Sequence, residues 1–276
     1  MDKPPNNVSV LILTLDEEKN IRRCLESVAW ADEVFILDSG STDATLEIAR
    51  QYTDKVFTRK FDDWSSHLNW ALENLPLKNE WLLNVDADEV VTDGLAREII
   101  AAARRDDPDT TAWWVRRRFI FLGKWLRHGG LYDTWILRMF RRRRVRFTRL
   151  VNPVPVYEGG DGYFESDLLH DDGKGFSALV ARHNSYSTLE AMEMLAAGDR
   201  SAPRGRAAVS ARRRRAFERL PLVLRPPARF VHMYLIRLGF LDGLPGFIYS
   251  FFKLCYEFFV AVKVYELRLE KRKGRA

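Results

Sequence analysis

Only two cysteines occur in the 276 residues, Cys24 and Cys255. They lie far apart and without metal-ligand spacing, which excludes a disulfide framework and a thiolate metal site, so they are expected to remain reduced thiols in a cytosolic setting. Long hydrophobic runs are also missing. A membrane-spanning helix needs about 20 mainly apolar residues. Near the C-terminal end, the longest uncharged stretch is the ten residues Gly243 to Phe252, closed by Lys253 and broken again at Glu257. The first residues, Met-Asp-Lys-Pro-Pro-Asn-Asn, carry no basic region, and the apolar run from Val8 to Leu15 is too short for a secretion signal. It reads as a buried strand. Glycine and proline together number 27, too few for a collagen-like or low-complexity chain. With 46% hydrophobic and 30% charged residues, the chain can bury one ordinary core unaided, with a small appendage.

Charge of one sign is lacking where it would be expected from the total. The net charge is +6, yet residues 1–103 hold 10 Lys/Arg against 20 Asp/Glu, residues 104–149 hold 14 against 4, and residues 150–276 hold 20 against 14. An acidic third is therefore followed by basic segments.

The first hundred residues alternate strand and helix signals. Val8 to Leu15, Glu33 to Leu37, Lys55 to Thr58 and Trp81 to Val85 read as strands. Glu18 to Val28, the segment after a cap at Ser41-Thr-Asp-Ala, Ser65 to Leu75, and the segment from a cap at Thr92 to Ala103 read as helices. This β-α-β order predicts an α/β fold with a mostly parallel sheet and helices on both faces. After Pro108, longer strands are expected over Thr111 to Phe121, Thr134 to Phe140 and Val151 to Tyr157, then a helix over Gly175 to Ala197. The division expected is 1–197 for the catalytic domain, 198–225 for a basic linker or helix with Pro203 and Gly205, and 226–276 for aromatic amphipathic helices.

Three apolar runs end in aspartate, at Asp16, Asp38 and Asp86. Ligands of open α/β sheets bind beyond the carboxyl ends of strands, so these acids, with Asp88, predict one acidic cleft. Crowded carboxylates repel unless a cation offsets them. Asp86-Ala87-Asp88 at a turning strand end can converge on Mg²⁺ or Mn²⁺, which favour oxygen ligands and can neutralise a diphosphate leaving group.

The runs Val8-Ser-Val-Leu-Ile-Leu-Thr-Leu-Asp-Glu-Glu, Val34-Phe-Ile-Leu-Asp-Ser-Gly-Ser-Thr-Asp and Leu83-Asn-Val-Asp-Ala-Asp-Glu resemble successive motifs of family 2 glycosyltransferases with the GT-A fold. Phe121-Leu-Gly-Lys-Trp-Leu-Arg-His-Gly-Gly, Ile136-Leu-Arg-Met-Phe-Arg-Arg, His183-Asn-Ser-Tyr-Ser-Thr-Leu-Glu-Ala and Leu238-Gly-Phe-Leu-Asp-Gly are similar to the bacterial branch that builds lipopolysaccharide core and related envelope glycans. The resemblance implies an inverting, metal-dependent transfer from a nucleotide sugar, UDP-linked by first choice, to a glycolipid or lipopolysaccharide-type acceptor. It implies that Thr14, Asp16 and Asp38 contact base and ribose, Asp86 the ribose or metal, and Asp88 the metal. His170 is read either as a structural histidine at a strand end or as a further metal or diphosphate contact. Asn69 either orients donor groups or is a polar residue of a helix surface.

The chain also departs from the family. Many relatives carry an acid shortly after the position of Asn152, a candidate base, where this chain has Pro153. Glu158 and Glu165 are the nearest substitutes.

The basic middle segment either faces solvent or binds phosphates of the donor or of a phosphorylated lipid acceptor, with Arg127 and Arg138 the chosen candidates. No nucleic-acid partner is expected, since no such motif accompanies it. Residues 227–265 carry eleven aromatics, with Phe247, Phe251, Cys255, Phe258 and Val262 at helical spacing and Ser250, Lys253 and Glu257 on another face. They read as a helix packed on the catalytic domain or as an interfacial helix pair on an anionic membrane surface, peripheral to the inner face of the cell membrane. Two other readings compete. One is a haloacid-dehalogenase-like phosphatase using Asp86 as nucleophile; the other is a non-catalytic anionic-lipid-binding protein on the same fold.

Overall fold

The structure is a computed structural model describing residues 5–196, 212, 216, 217 and 219–273. The boundary expected after residue 197, and Pro203 and Gly205 of the expected hinge, lie outside the described residues.

Strands β1 (Val8–Thr14), β2 (Glu33–Asp38), β3 (Val56–Thr58) and β4 (Trp81–Asp86) form the parallel half of the sheet, in the order β3-β2-β1-β4. All seven residues of β1 are buried, because helices cover both faces and leave no solvent side to be polar. One face packs Val10 and Ile12 against Ile21 and Leu25 of α1 (Ile21–Ser27) and Leu95 and Ile99 of α4 (Asp93–Arg105). The opposite face packs Leu11, Leu13 and Phe35 against Leu68 and Ala71 of α3 (Trp64–Asn74). The Thr92 hydroxyl accepts from the Leu95 N–H and caps α4, while Asp63 caps α3 through the Ser66 N–H. The short α2 (Thr45–Ala49) departs from expectation. Ala44 holds its cap position, and Asp43 accepts from the Thr45 N–H.

The second half of the sheet is mixed. Beyond β4 come β8 (Trp135–Arg141), β6 (Thr110–Phe121), β12 (Leu168–Asp171) and β5 (Glu89–Val91), with β7 (Lys124–Trp125) and β11 (Gly160–Tyr163) also paired to β6. Strand β8 runs antiparallel to both β4 and β6, so β6 runs the same way as β4. The Phe121 end of β6 therefore lies at the Asp86 end of β4, and its Thr110 end at the opposite edge. A separate ladder joins β9 (Val145–Thr148) to β10 (Val154–Tyr157).

Helix α5 (Phe176–Leu195) follows β12, and the C-terminal part comprises α6 (Arg225–Phe230), a π-helical turn over Val231–Ile236, a 3₁₀ turn over Gly239–Asp242 and the 31-residue α7 (Gly243–Lys273). No described helix is long and apolar enough to cross a membrane. Helix α7 lies on α5: Lys263 donates to the Asn184 carbonyl at 2.6 Å and to Thr188 at 2.8 Å, and His183 packs edge-on to Phe252 and Tyr256. Burial, reinforced by the Lys253 ammonium, lowers His183 to about 3 and keeps it neutral.

Helix α7 carries aromatic residues on both its buried and its exposed side. Ser250 and Glu257 are buried, and Glu257 is held by Arg229 at 2.7 Å, whereas Phe247, Phe251, Phe258 and Tyr265 are exposed. The inner side carries Tyr249, Phe252, Tyr256, Val260 and Val264 together with Ser250 and Glu257, and a second aromatic stripe faces out.

Candidate active site

The three strand-end aspartates gather at one edge, but their carboxylates do different work. Asp38 is fully buried and turned onto its own loop, accepting from the Gly40 N–H at 2.8 Å and the Ser41 N–H at 2.9 Å. Asp16, in the left-handed region at φ 51°, accepts from the Thr42 N–H at 2.8 Å and donates its own N–H to the Ser41 hydroxyl. Together they cross-brace the loops after β1 and β2. Between them the Thr14 hydroxyl oxygen is buried with no hydrogen-bond partner.

The β4–β5 turn brings Asp86, Ala87 and Asp88 round as anticipated, and then separates the two acids. Asp86 accepts from Arg138 Nη2 at 2.5 Å, and the same nitrogen reaches Glu89 at 2.5 Å. Burial works against the charge of Arg138, but Asp86 and Glu89 outweigh it and hold the guanidinium protonated. Arg138 is thus placed as the buried counter-ion of Asp86 and Glu89. Its neighbours in β8 pair with β4, which aims its side chain inward at the β4–β5 turn. Asp86, committed to that pair, is not presented as a phosphatase nucleophile.

Asp88 faces the other way. Its Oδ1 lies 3.3 Å from His170 Nδ1, both atoms are buried, and neither makes a hydrogen bond. Arg182 of α5 stands 3.8 Å from Oδ2 and binds Asp172 at 2.6 Å. Burial pushes the Asp88 carboxyl up, but His170 and Arg182 prevail and hold it well below the usual carboxylate range. Among the described residues, no cluster of three or more His, Cys, Asp or Glu side chains is assembled for a metal, so the expected Asp86, Asp88, His170 set is not formed. With the imidazole neutral, the Asp88–His170 pair nevertheless fits a divalent ion, since one carboxylate oxygen and one imidazole nitrogen are buried side by side without a hydrogen bond.

Several residues here escaped the sequence reading. Glu17, next to Asp16, is buried beside Lys174 (2.5 Å) and accepts from Asn20 at 2.7 Å; burial and the Asp88 charge push its carboxyl up to about 7. Asn20 also donates to the Asp172 carbonyl, tying the first loop to the segment after β12. Arg182, one residue before the His183 run, closes the acidic edge. The adjacency of Glu17 to Asp16 was a signal available in the sequence; Arg182 had none.

Three other candidates move away from the cleft. Asn69 donates to the Phe147 carbonyl (2.8 Å) and accepts from the Phe147 N–H (2.9 Å), clamping α3 to β9. Glu158 precedes Gly160, whose N–H bonds to the Asp109 carbonyl at 2.7 Å, and so lies at the Thr110 end of β6, opposite the cleft. Glu165 lies over α4, its N–H bonded to Glu98 and its carbonyl to Arg116. The direction of β6 carries Glu158 away from Asp88, and Glu165 stands between β11 and β12 beside the middle of β6, turned to α4. Arg127 stacks over Trp125 at 4.3 Å, with Arg118 on the same ring at 4.5 Å, forming a basic aromatic patch beside β7.

Comparison with known proteins adds the family. The glycosyl transferase family 2 sequence model matches residues 9–160. The lipopolysaccharide core biosynthesis glycosyltransferase LpsC of Rhizobium meliloti is 28% identical over 95% of this chain and 93% of its own length. The uncharacterized glycosyltransferase RT0209 of Rickettsia typhi is 25% identical over 96% of this chain and 89% of its own. Among solved structures, residues 1–349 of S. aureus TarS are similar at 15% identity and a TM-score of 0.45, covering 95% of this chain and 91% of that one.

Proposed function

The chain belongs to glycosyl transferase family 2, an enzyme family, and from that premise we propose that it transfers a sugar, with inversion, from a nucleotide sugar to a lipid-linked or lipopolysaccharide-type acceptor. The observation that carries this reading is the desolvated Asp88–His170 pair at the mouth of the strand-end loops. Those two residues would hold Mg²⁺ or Mn²⁺, with other ligands from water and diphosphate oxygens. When bound, such an ion neutralises charge developing on a departing diphosphate. Thr14, with its unsatisfied hydroxyl, and the braced Asp16 and Asp38 loops would receive the nucleoside. Arg182 adds positive charge beside Asp88. Arg127, stacked on Trp125 and exposed, is suited to a phosphate of the acceptor.

The acceptor class follows the likeness to LpsC and the outward aromatic stripe of α7, which supports residence on an anionic membrane surface. The test is binding and hydrolysis of a panel of nucleotide sugars with Mn²⁺ or Mg²⁺, wild type beside Asp88→Ala. Turnover that disappears in D88A is expected. Absence of both turnover and binding for every nucleotide sugar would sink the proposal.

A further inference from the structure

The hairpin between β6 and β7 closes through two residues, Leu122 and Gly123, with Phe121 paired to Lys124. Both central residues have positive φ, 50° and 74°. That geometry belongs to turns that favour Asn-Gly, because Asn tolerates the left-handed region and its amide is solvated. Here a leucine takes the strained position and is 57% exposed. Conformation and solvation both argue against leucine at this tip in water.

Its neighbourhood supplies a reason. Phe119 and Phe121 of β6 pack on Tyr249 of α7 at ring separations of 5.1 and 5.3 Å. A methyl built on Gly243, the first residue of α7, would lie 3.6 Å from the Lys124 ammonium. The tip thus stands beside the start of α7, where Leu241 and Leu244 are exposed. From Arg219 to Tyr265 the only carboxylates are Asp242 and Glu257, at 3% and 9% exposure, held by His128 and Arg229. An apolar face with exposed Lys124 and Arg127 at its edge, whose exposed carboxylate Asp133 is paired with Arg237, complements an anionic bilayer.

We propose that Leu122 is a membrane-inserting residue contributed by the catalytic sheet, so that the bilayer contacts the cleft end of β6 as well as α7. Phe119, which packs at a tilt on Tyr249, stacks on His170 at 5.2 Å. Phe121, the residue before Leu122, stacks on Phe119 at 6.3 Å, so two ring contacts join the hairpin tip to the Asp88–His170 pair, and the cleft takes acceptors whose lipid stays in the membrane. This rests on the membrane reading above.

The test uses the full chain and phosphatidylcholine vesicles with and without phosphatidylglycerol. Wild type is compared with Leu122→Asn and Leu244→Asn by sedimentation and by thermal melting. Leu122→Asn is expected to bind anionic vesicles about five- to ten-fold more weakly while melting no earlier than wild type. If Leu244→Asn weakens binding and Leu122→Asn does not, α7 docks alone and the hairpin inference is overturned. Failure of the wild type to bind any vesicle would overturn the membrane reading itself, and the inference with it. Sedimentation velocity without vesicles covers the rival occupant: a wild-type dimer that Leu122→Asn converts to monomer would assign the face to a second copy and refute the inference.

Discussion

Arg138 and Glu89 form an ion pair of 2.5 Å with the glutamate fully buried, and the same guanidinium nitrogen reaches Asp86. Removing one partner of such a pair leaves an uncompensated buried charge, at a cost of about 3–5 kcal/mol. Arg138→Met should lose that much in urea unfolding, and the double variant R138M/E89Q should recover a large part of it. A single variant as stable as wild type would mean that the pair is not maintained in solution.

Asn69→Ala separates clamp from ligand. Two hydrogen bonds to Phe147 disappear, so stability should fall by about 1–3 kcal/mol. The KM for the donor sugar should remain within about two-fold of wild type at a temperature where both are folded. A large KM rise with unchanged stability would restore the donor-binding role.

His183 gives a signed pH dependence. Its folded pKa, about 3, lies below its ordinary 6.5, so the stability it contributes is complete above pH 6.5 and is lost as pH falls toward 3. Over that window His183→Gln should lose less stability than wild type, by up to about 1.4 kcal/mol per pH unit. Parallel stability curves for the two proteins between pH 6.5 and 4 would contradict this environment.

Metal affinity should depend on His170. Loss of an imidazole ligand typically weakens a site strongly, and His170→Ala is expected to raise the Mn²⁺ concentration needed for donor binding by about 10- to 100-fold. Chelation should abolish donor turnover by the wild type. Calorimetric titration of Mn²⁺ in the presence of UDP reads the first effect, and equal affinities would remove His170 from the proposed ligand set.

Much of this site was legible in the sequence, because a strand that ends in aspartate announces both its direction and its cleft. Asp38, Asp86 and Asp88 fell where the apolar runs stopped. The partners of those acids were not legible. Arg138 looked like any cation in a basic strand until β8 was laid against β4, and pairing across strands distant in sequence leaves no local trace. Glu158 and Glu165 were near the right place in sequence and not in space, since only the antiparallel pairings of β8 reveal which way β6 runs. Strands β5 and β11 were too short to show a period. In α7 the helical spacing separated two faces, yet periodicity does not say which one the core takes, and here it took Ser250 and Glu257 along with Tyr249, Phe252 and Tyr256.

The outward aromatic stripe of α7 has a colloidal consequence. With both carboxylates between Arg219 and Tyr265 turned inward and the aromatic stripe outward, purified protein in plain buffer has little short-range repulsion across this face. Its solubility should depend on mild detergent or lipid more than on ionic strength, and precipitation on their removal would reflect a surface without its proper solvent while the core remains folded.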